Sequence, residues 1–432
     1  MIFSMSANSL TLPPGYVLLT EGRTAPSRRW LFWACLAQIG LLVPQVTGFL
    51  QWATRQGMLP VPPVLVVGCM LLINVWLLLP RKPMVSKTSL LIIILCSMRL
   101  IDAICHRFGL LDTFAAMLTR VSLTLVFVLA SILICGVARQ DSVLPLCSAA
   151  TISILVSSAA NLAELAGYIK NSSVPGRAAG FIPDANDSAI AIICMLALLL
   201  TLQRNFWFSV VMIGVALAGI MPTLSRSGFL VFTLILATFF VQNLRKHSGK
   251  IIAASACFFL LGCLAVAIIG SSSNNRNDVN VQERIRAIFG GDTQKLESSE
   301  RMKDLNDGVE GAMLRPIFGH GLGAGSGGGH PQQWRPHNQF VSLWIELGII
   351  GAGVYTIILL ALLWKACTRP SATLICIIPV IAFLPFSQTL TDTAAYWLVA
   401  IMAALLSSVR PIQFSLWRPQ SQSSSIPHGL TS

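Results

Sequence analysis

The chain has 432 residues, of which 54% are hydrophobic and only 11% are charged. Soluble domains carry about 25% charged residues, so this composition excludes an ordinary soluble protein and indicates a polytopic membrane protein. The net charge of +13 would suggest nucleic-acid binding in a soluble chain. In a membrane protein lysine and arginine set the topology instead, so we expect membrane lipids and no nucleic acid as partners.

The N-terminal segment, residues 1–29, ends in a basic cluster formed by Arg23, Arg28 and Arg29. It lacks the apolar core of a cleavable signal peptide. The apolar run that follows is long enough to cross a bilayer, which takes about twenty residues. We therefore expect a cytoplasmic N-terminal segment followed by a retained first helix.

Twelve apolar runs predict an all-α polytopic membrane protein with about twelve transmembrane helices. Nine runs lie within residues 30–270 and three within residues 338–409. Their approximate bounds are 30–50, 62–80, 88–105, 114–138, 143–168, 187–203, 206–224, 227–243, 251–270, 338–364, 372–390 and 393–409. No internal repeat is evident, which argues against a transporter built from inverted repeats.

Basic residues are concentrated in alternate segments between these runs, for example at Arg81 and Lys82 and at Arg245 and Lys246. By the positive-inside rule these segments face the cytoplasm, which places both termini there. Residues 410–432 then form a cytoplasmic tail. Its Ser-, Gln- and Pro-rich part, 419–432, is expected to be disordered.

The longest external loop covers residues 271–337, between the ninth and tenth predicted helices. Spaced apolar residues within 280–314 predict one or two amphipathic helices over the external mouth of the bundle. Segments 271–278 and 319–332 have the composition of flexible loops or turns. All eleven cysteines lie within or beside apolar stretches, so we expect packing residues and no disulfides.

Seven basic residues lie outside both the predicted cytoplasmic segments and the long external loop, namely Arg55, Arg99, Arg107, Arg120, Lys170, Arg177 and Arg226. An arginine within a span is costly unless it is paired or solvated, so each needs a physical reason. Arg226 lies in a turn between two runs that almost no loop separates, so its guanidinium is held at the external boundary. Its planar fork suits a phosphate, although it could also extend to lipid head groups. For Arg99 and Arg120 we expect an intramembrane ion pair with Asp102 or a similar acid.

A second polar segment, residues 176–187, precedes the sixth predicted helix. Arg177 is a candidate anion contact there. Asn186 or Asp187 is expected to cap the following helix, since short polar side chains accept from its first free N–H groups. A divalent ion held by Asp184 and Asp187 is an alternative.

His337 lies where the long loop meets the tenth predicted helix. Histidine can accept a hydroxyl proton near neutral pH because its ordinary pKa is about 6.5. It could instead face lipid head groups, with Asn338 as the helix cap. A metal site with His320 and His330 is disfavoured because no close His/acid spacing is present, so we expect no metal.

Gly323, Gly325 and Gly328 match a GxGxxG pattern, but no predicted strand precedes them and no P-loop lysine follows. We therefore expect no dinucleotide and no other cofactor. The glycines are expected to let the backbone approach a bulky ligand.

Four motifs, taken together, resemble those of the bacterial O-antigen ligases, within the wider O-antigen ligase/polymerase superfamily. The ligase hallmark is similar to His337-Asn338, nine further residues and then Gly348-Ile349-Ile350-Gly351. The other three resemble Arg177, Gly180, Phe181 and Asn186; Thr223, Ser225 and Arg226; and Arg301 followed by Pro316, Gly319 and Gly321. The resemblance covers about residues 30–410, and Asp184-Ala185-Asn186 replaces a usual Asn-Pro-Asn-like sequence.

The resemblance implies a GT-C-like glycosyltransferase of the bacterial inner membrane whose active site faces the periplasm. It implies transfer of O-antigen polysaccharide from undecaprenyl pyrophosphate to a sugar hydroxyl of lipid A–core. Arg177, Arg226 and Arg301 would bind the diphosphate, His337 would receive the hydroxyl proton or orient the acceptor, and Asn338 would contact substrate. We expect direct, inverting displacement without a metal.

Two sibling activities use the same donor with a different acceptor, namely O-antigen polymerase and protein O-oligosaccharyltransferase. A lipid or solute transporter belongs to a different class and should carry charges at mid-membrane. The candidate residues here lie at one end of their predicted helices, which favours chemistry at a surface.

Overall fold

The computed structural model describes residues 26–59, 61–81, 83–105, 111–140, 142–173, 176–203, 205–244, 248–249, 294–325, 334–368, 370–406 and 412–413. This part of the chain is almost entirely helical, as predicted. The predicted helix at 251–270 and the segments 271–278 and 419–432 lie outside the described residues.

The elements are as follows in chain order. The first half contains α1 (Arg28–Val46), α2 (Phe49–Arg55), α3 (Pro63–Leu78), α4 (Lys87–Cys105), α5 (Leu111–Gln140) and α6 (Leu144–Leu165). The second half contains α7 (Ala185–Leu202), α8 (Phe206–Ile220), α9 (Arg226–Leu244), α10 (Gln294–Leu314), α11 (Gln339–Thr368), α12 (Pro370–Ala382) and α13 (Ala394–Leu406). Short 3-10 turns lie at Leu79–Arg81, Met221–Thr223 and Leu390–Asp392. One short antiparallel pair joins β1 (Met84–Val85) to β2 (Ile412–Gln413).

Eight of the described helices are long and apolar enough to cross a membrane. Three shorter apolar helices accompany them, at Leu65–Arg81, Thr373–Ala382 and Ala394–Leu406. The chain is therefore a polytopic membrane protein by length and composition of its helices, while the number of twelve spans stays a prediction.

The centre of the bundle is formed by α7 and α13, whose side chains are almost all buried. Both helices are apolar all round, as expected for helices surrounded by protein. Outer helices instead expose large apolar side chains, among them Trp33, Trp76 and Trp364, and these suit contact with lipid.

The backbone of α11 is broken at Gly348, where φ is +67° and ψ is −169°. The chain segment just after α10 inserts at this break. Its hydrogen bonds run from Ile349 N to Pro316 O (2.8 Å), from His320 N to Ile345 O (2.7 Å) and from Gly321 N to Glu346 O (3.1 Å). Insertion of another group into the i→i−4 hydrogen bonds of a helix is a known cause of a kink, and here the inserting groups belong to the backbone of this segment.

Residues 319–325 form turns, as predicted, but they are buried against α11. A Cβ added at Gly319 would lie 2.3 Å from the carbonyl oxygen of Glu346, and one at Gly325 would lie 2.6 Å from that of Ser342. These glycines let the backbone approach a helix of the same chain. Of the three glycines expected to let the backbone approach a bulky ligand, Gly325 instead lies against α11 of the same chain, so the expectation is wrong at that position. Gly328 lies outside the described residues.

The break in α11 predicts that Gly348→Ala is strongly destabilising. A Cβ there would lie 2.0 Å from the carbonyl oxygen of Ile317, and a left-handed φ costs a non-glycine residue about 1–2 kcal/mol before any clash. We expect a loss of about 3 kcal/mol or more, measured as thermal stability of the purified protein in detergent. Gly353→Ala is the matched control, because it lies in the same helix with no atom within 4 Å of its added Cβ. Equal stability of the two variants would contradict the insertion.

Candidate functional site

Arg177 joins two segments that the sequence places far apart. Its Nε donates to the carbonyl oxygen of Thr223 (2.7 Å), and its Nη2 donates to Asn186 Oδ1 (2.7 Å). The guanidinium is thereby fixed between the N-terminus of α7 and the turn that precedes α9. The structure thus brings together two of the motifs recognised in the sequence.

The turn before α9 presents Arg226. Leu224 has a positive φ of 48°, which is unusual for a non-glycine residue. Ser225 is buried and caps α9, because its Oγ accepts from Gly228 N (3.2 Å). Arg226 is therefore the first residue of the helix, and its side chain is exposed.

Asp184, and neither Asn186 nor Asp187, caps α7. Its Oδ1 accepts from Asn186 N (2.7 Å) and Asp187 N (3.2 Å). The predicted capping role of Asn186 or Asp187 is wrong because those side chains have other partners: Asn186 receives Arg177, and Asp187 Oδ1 receives Thr389 Oγ1 (2.8 Å).

Glu164, near the end of α6, organises the whole segment that carries Arg177, and the sequence reasoning missed it. Its two carboxylate oxygens accept four backbone N–H groups at 2.6–2.7 Å, from Asn171, Ser172, Ala179 and Gly180. A lone acid at the end of an apolar helix, just before a polar loop, was the available signal.

Gly180 and Phe181, which belong to the same motif as Arg177, anchor the same segment. Gly180 has a φ of +64°, and a Cβ there would lie 2.6 Å from Asn161 Oδ1. The ring of Phe181 packs on two aromatic rings of α2, at 5.2 Å from Phe49 and 4.9 Å from Trp52. Both residues hold the segment in place.

His337 also has a positive φ, of 46°, immediately before α11. Asn338 caps the helix, since its Oδ1 accepts from Phe340 N (2.9 Å) and Val341 N (3.2 Å). The alternative that Asn338 is the helix cap is therefore confirmed, and its contact with substrate stays a prediction.

Helix α10 packs directly against the segment that precedes His337. A Cβ added at Gly308 would lie 2.7 Å from Pro336 Cβ, and one at Gly311 would lie 2.5 Å from the indole of Trp334. Two glycines three residues apart give α10 one flat face for this contact. The packing brings Arg301, on the same helix, near His337.

Burial lowers the pKa of His337 below its ordinary value, and the positive charge of Arg301 lowers it further. Arg335 also lowers the pKa of His337, whereas Asp304 raises it and Asp184 raises it weakly. A lowered pKa favours the neutral imidazole, which is the form able to accept a proton.

An open cleft of about 620 Å³ lies beside this histidine, between α10 and the chain before α11. Its lining residues are Asp304, Asp307, Glu310, Gly311, Leu314, Trp334 and Arg335. Three carboxylates and one guanidinium make the cleft acidic, so it does not suit a diphosphate. The arginine-bearing turns before α7 and α9 suit one better.

Besides His337, the described part of the chain contains one histidine, His320, which packs behind the wall of the cleft. His320 is buried, its Nε2 lies 2.8 Å from the carbonyl oxygen of Gly311, and its ring packs on Trp334. His330 lies outside the described residues. Within those residues no group of three or more His, Cys, Asp or Glu side chains could hold a metal ion.

Arg99 and Arg120 form ion pairs, as predicted, and the acid they share is Asp392. The distances are 2.7 Å from Arg99 Nη1 to Asp392 Oδ1 and 3.0 Å from Arg120 Nη2 to Asp392 Oδ2. Asp102 accepts the backbone N–H of Leu322 (2.6 Å). Asp392 belongs to a turn between helices, whereas Arg99 lies within α4 and Arg120 within α5.

A comparison with known families gives a match over part of the chain. Residues 215–356 match the family model described as O-antigen ligase, and the matched segment contains Arg226, Arg301, His337 and Asn338. The match covers about a third of the chain and confirms the resemblance to the O-antigen ligase superfamily over that segment. No curated protein matches the chain.

The four hydrogen bonds at Glu164 predict that Glu164→Gln loosens the loop bearing Arg177. An amide offers one oxygen in place of two and loses the charge, and hydrogen bonds to charged groups are worth about 1.5–3 kcal/mol each. We expect trypsin to cut at the exposed Lys170 about tenfold faster or more, measured on protein in detergent. Glu310→Gln on α10 is the matched control and should leave that rate unchanged. Equal rates in the two variants would remove Glu164 from this role.

Proposed function

We propose that the protein is an O-antigen ligase, moving O-antigen polysaccharide from undecaprenyl pyrophosphate to a sugar hydroxyl of lipid A–core. The family match supports a membrane transferase of lipid-linked polysaccharide in general, and ligation is the finer step proposed. The observation that carries the proposal is the meeting of polar groups from separate motifs. The charges of Arg301 and Asp184 both shift the pKa of His337. Asp184 also caps α7, and Asn186 in the first turn of that helix accepts a hydrogen bond from Arg177.

The arginines and His337 would have different roles in the transfer. The acceptor oxygen attacks the anomeric carbon while the bond from that carbon to the diphosphate oxygen breaks, and the diphosphate leaves with the electron pair. Arg177, Arg226 and Arg301 would stabilise the charge that grows on the leaving group. His337 would take the hydroxyl proton, which its neutral form permits. Attack opposite the leaving group inverts the anomeric carbon, and no step requires a metal.

The site is proposed to lie at the periplasmic face of the inner membrane, with both termini in the cytoplasm. O-antigen polymerase and protein O-oligosaccharyltransferase remain the sibling alternatives, because the same donor groups would serve both. The His-Asn-x9-Gly-x2-Gly hallmark, here from His337 to Gly351, favours the ligase. A transporter is less well supported, since Arg226 and His337 lie at or just before helix N-termini, where chemistry at a surface is favoured.

Deletion of the gene distinguishes a ligase from a polymerase, because loss of each enzyme leaves a different product on a lipopolysaccharide gel. A ligase deletion leaves bare core and accumulates lipid-linked polymer, whereas a polymerase deletion leaves core that bears one repeat. We expect the first pattern. Core bearing one repeat would overturn the ligase assignment and leave the family assignment standing.

Substitution of the proposed site residues tests the mechanism. His337→Ala should lower the transfer rate about 10²–10⁴-fold, the usual contribution of a general base. Arg226→Ala should lower it about 10²–10³-fold through loss of charge stabilisation. Both rates are measured as transfer in membranes, and the amount of each protein is checked by blot. In a separate measurement, excess EDTA should not reduce the wild-type rate.

Arg55→Ala is the matched control, since Arg55 ends α2 at the same predicted boundary and outside the site. It should transfer at nearly the wild-type rate. Near-normal rates in both site variants would remove His337 and Arg226 from the mechanism.

A further inference from the structure

Asp304 lies on the part of α10 that faces His337. Its Oδ2 is 3.6 Å from His337 Nε2, which is within ion-pair range, and the two side chains are 42% and 45% exposed. Asp304 follows Arg301 by three residues, so both side chains leave the same face of the helix. None of the four motifs recognised in the sequence includes Asp304.

This proximity is fixed by backbone packing. Gly308, four residues after Asp304, rests on Pro336, the residue immediately before His337. Asn338, immediately after it, caps α11. The carboxylate and the imidazole are therefore carried by two elements that are in direct contact close to the pair.

We propose that Asp304 is a positioning residue for His337, with its carboxylate orienting the imidazole and stabilising the imidazolium that forms during transfer. The inference rests on the proposed function. With Nε2–H turned towards Asp304, Nδ1 is the nitrogen left to accept the proton. The acceptor hydroxyl gives its proton to Nδ1 as its oxygen bonds to the anomeric carbon, and the imidazolium later releases that proton to water. An acid that orients a histidine in this way acts without being protonated itself.

The other charges facing His337 are known, so the sign of the effect can be stated. Arg301 on α10 and Arg335 on the preceding segment disfavour the imidazolium, whereas Asp304 and the more distant Asp184 favour it. Removing the charge of Asp304 leaves two arginines opposed by one acid. The pKa of His337 should therefore fall in Asp304→Asn.

The test uses full-length wild-type, Asp304→Asn and Asp304→Glu proteins in detergent. Transfer to lipid A–core is measured against pH. In Asp304→Asn we expect kcat about tenfold lower with KM little changed, and an acid limb shifted to lower pH. Asp304→Glu should restore much of kcat and return the limb towards the wild-type position.

A second measurement does not depend on transfer activity. Diethylpyrocarbonate modifies neutral imidazole, and peptide mapping reports the rate at His337 against pH. Its midpoint should move to lower pH in Asp304→Asn. Asp307→Asn is the matched control, because Asp307 lies one turn further along α10 and is not among the charges that shift His337, so its midpoint should not move.

Equal midpoints in Asp304→Asn and wild type, or a kcat within twofold of wild type, would overturn the inference. If wild type lacks transfer activity yet the modification midpoint shifts as expected, the proposed function fails while the pairing stands. If wild type transfers glycan and neither readout responds to Asp304, the proposed function stands and the pairing fails.

Discussion

The break in α11 at Gly348 is the constraint on which the geometry of the candidate site depends. At that point the helix exchanges part of its own hydrogen bonds for N–H groups of residues 320–321, and Ile349 N turns to Pro316. Glu346, two residues before the break, contributes its side chain as well: Oε1 accepts from Gly323 N (3.1 Å), and Oε2 lies 3.5 Å from Arg99 Nη2. The segment after α10 is thus tied to α11, and α10 is held over the start of the same helix.

Two further acids order connections between helices, because nearby donors compensate the charge of each. An isolated charge in a membrane span costs at least about 2.5–3.5 kcal/mol, so each one needs compensating partners. Glu164 meets this requirement with four backbone N–H groups, and Asp392 meets it with Arg99 and Arg120. In both cases an acid at a helix end orders a connection between helices. The connections so ordered are those that carry Arg177 and those that adjoin His337.

The sequence predicted the features that depend on local pattern, and it missed those that depend on distant partners. Apolar runs indicated the helices, and His337 and Asn338 were recognised at the start of α11 because a polar segment changes there to an apolar one. The break at Gly348 was hidden, since apolar residues continue on both sides and the inserting carbonyl belongs to Pro316. Asp304 was missed for the same reason: its partner is 33 positions away, and no periodicity encodes that pairing.

Two residues with strained backbone conformations lie directly before helix N-termini. In the described part of the chain the non-glycine residues with positive φ are Leu224 and His337. Each directly precedes a capping residue, Ser225 for α9 and Asn338 for α11. Strained residues of this kind cost about 1–3 kcal/mol and persist where the surrounding structure holds them, commonly at functional sites. Here the strain turns the chain sharply into two helix N-termini, and Arg177 links the first of these to a third, that of α7. Helix N-termini carry partial positive charge that favours anions, so the strained turns and the arginines would act in the same direction on the diphosphate of the proposed donor.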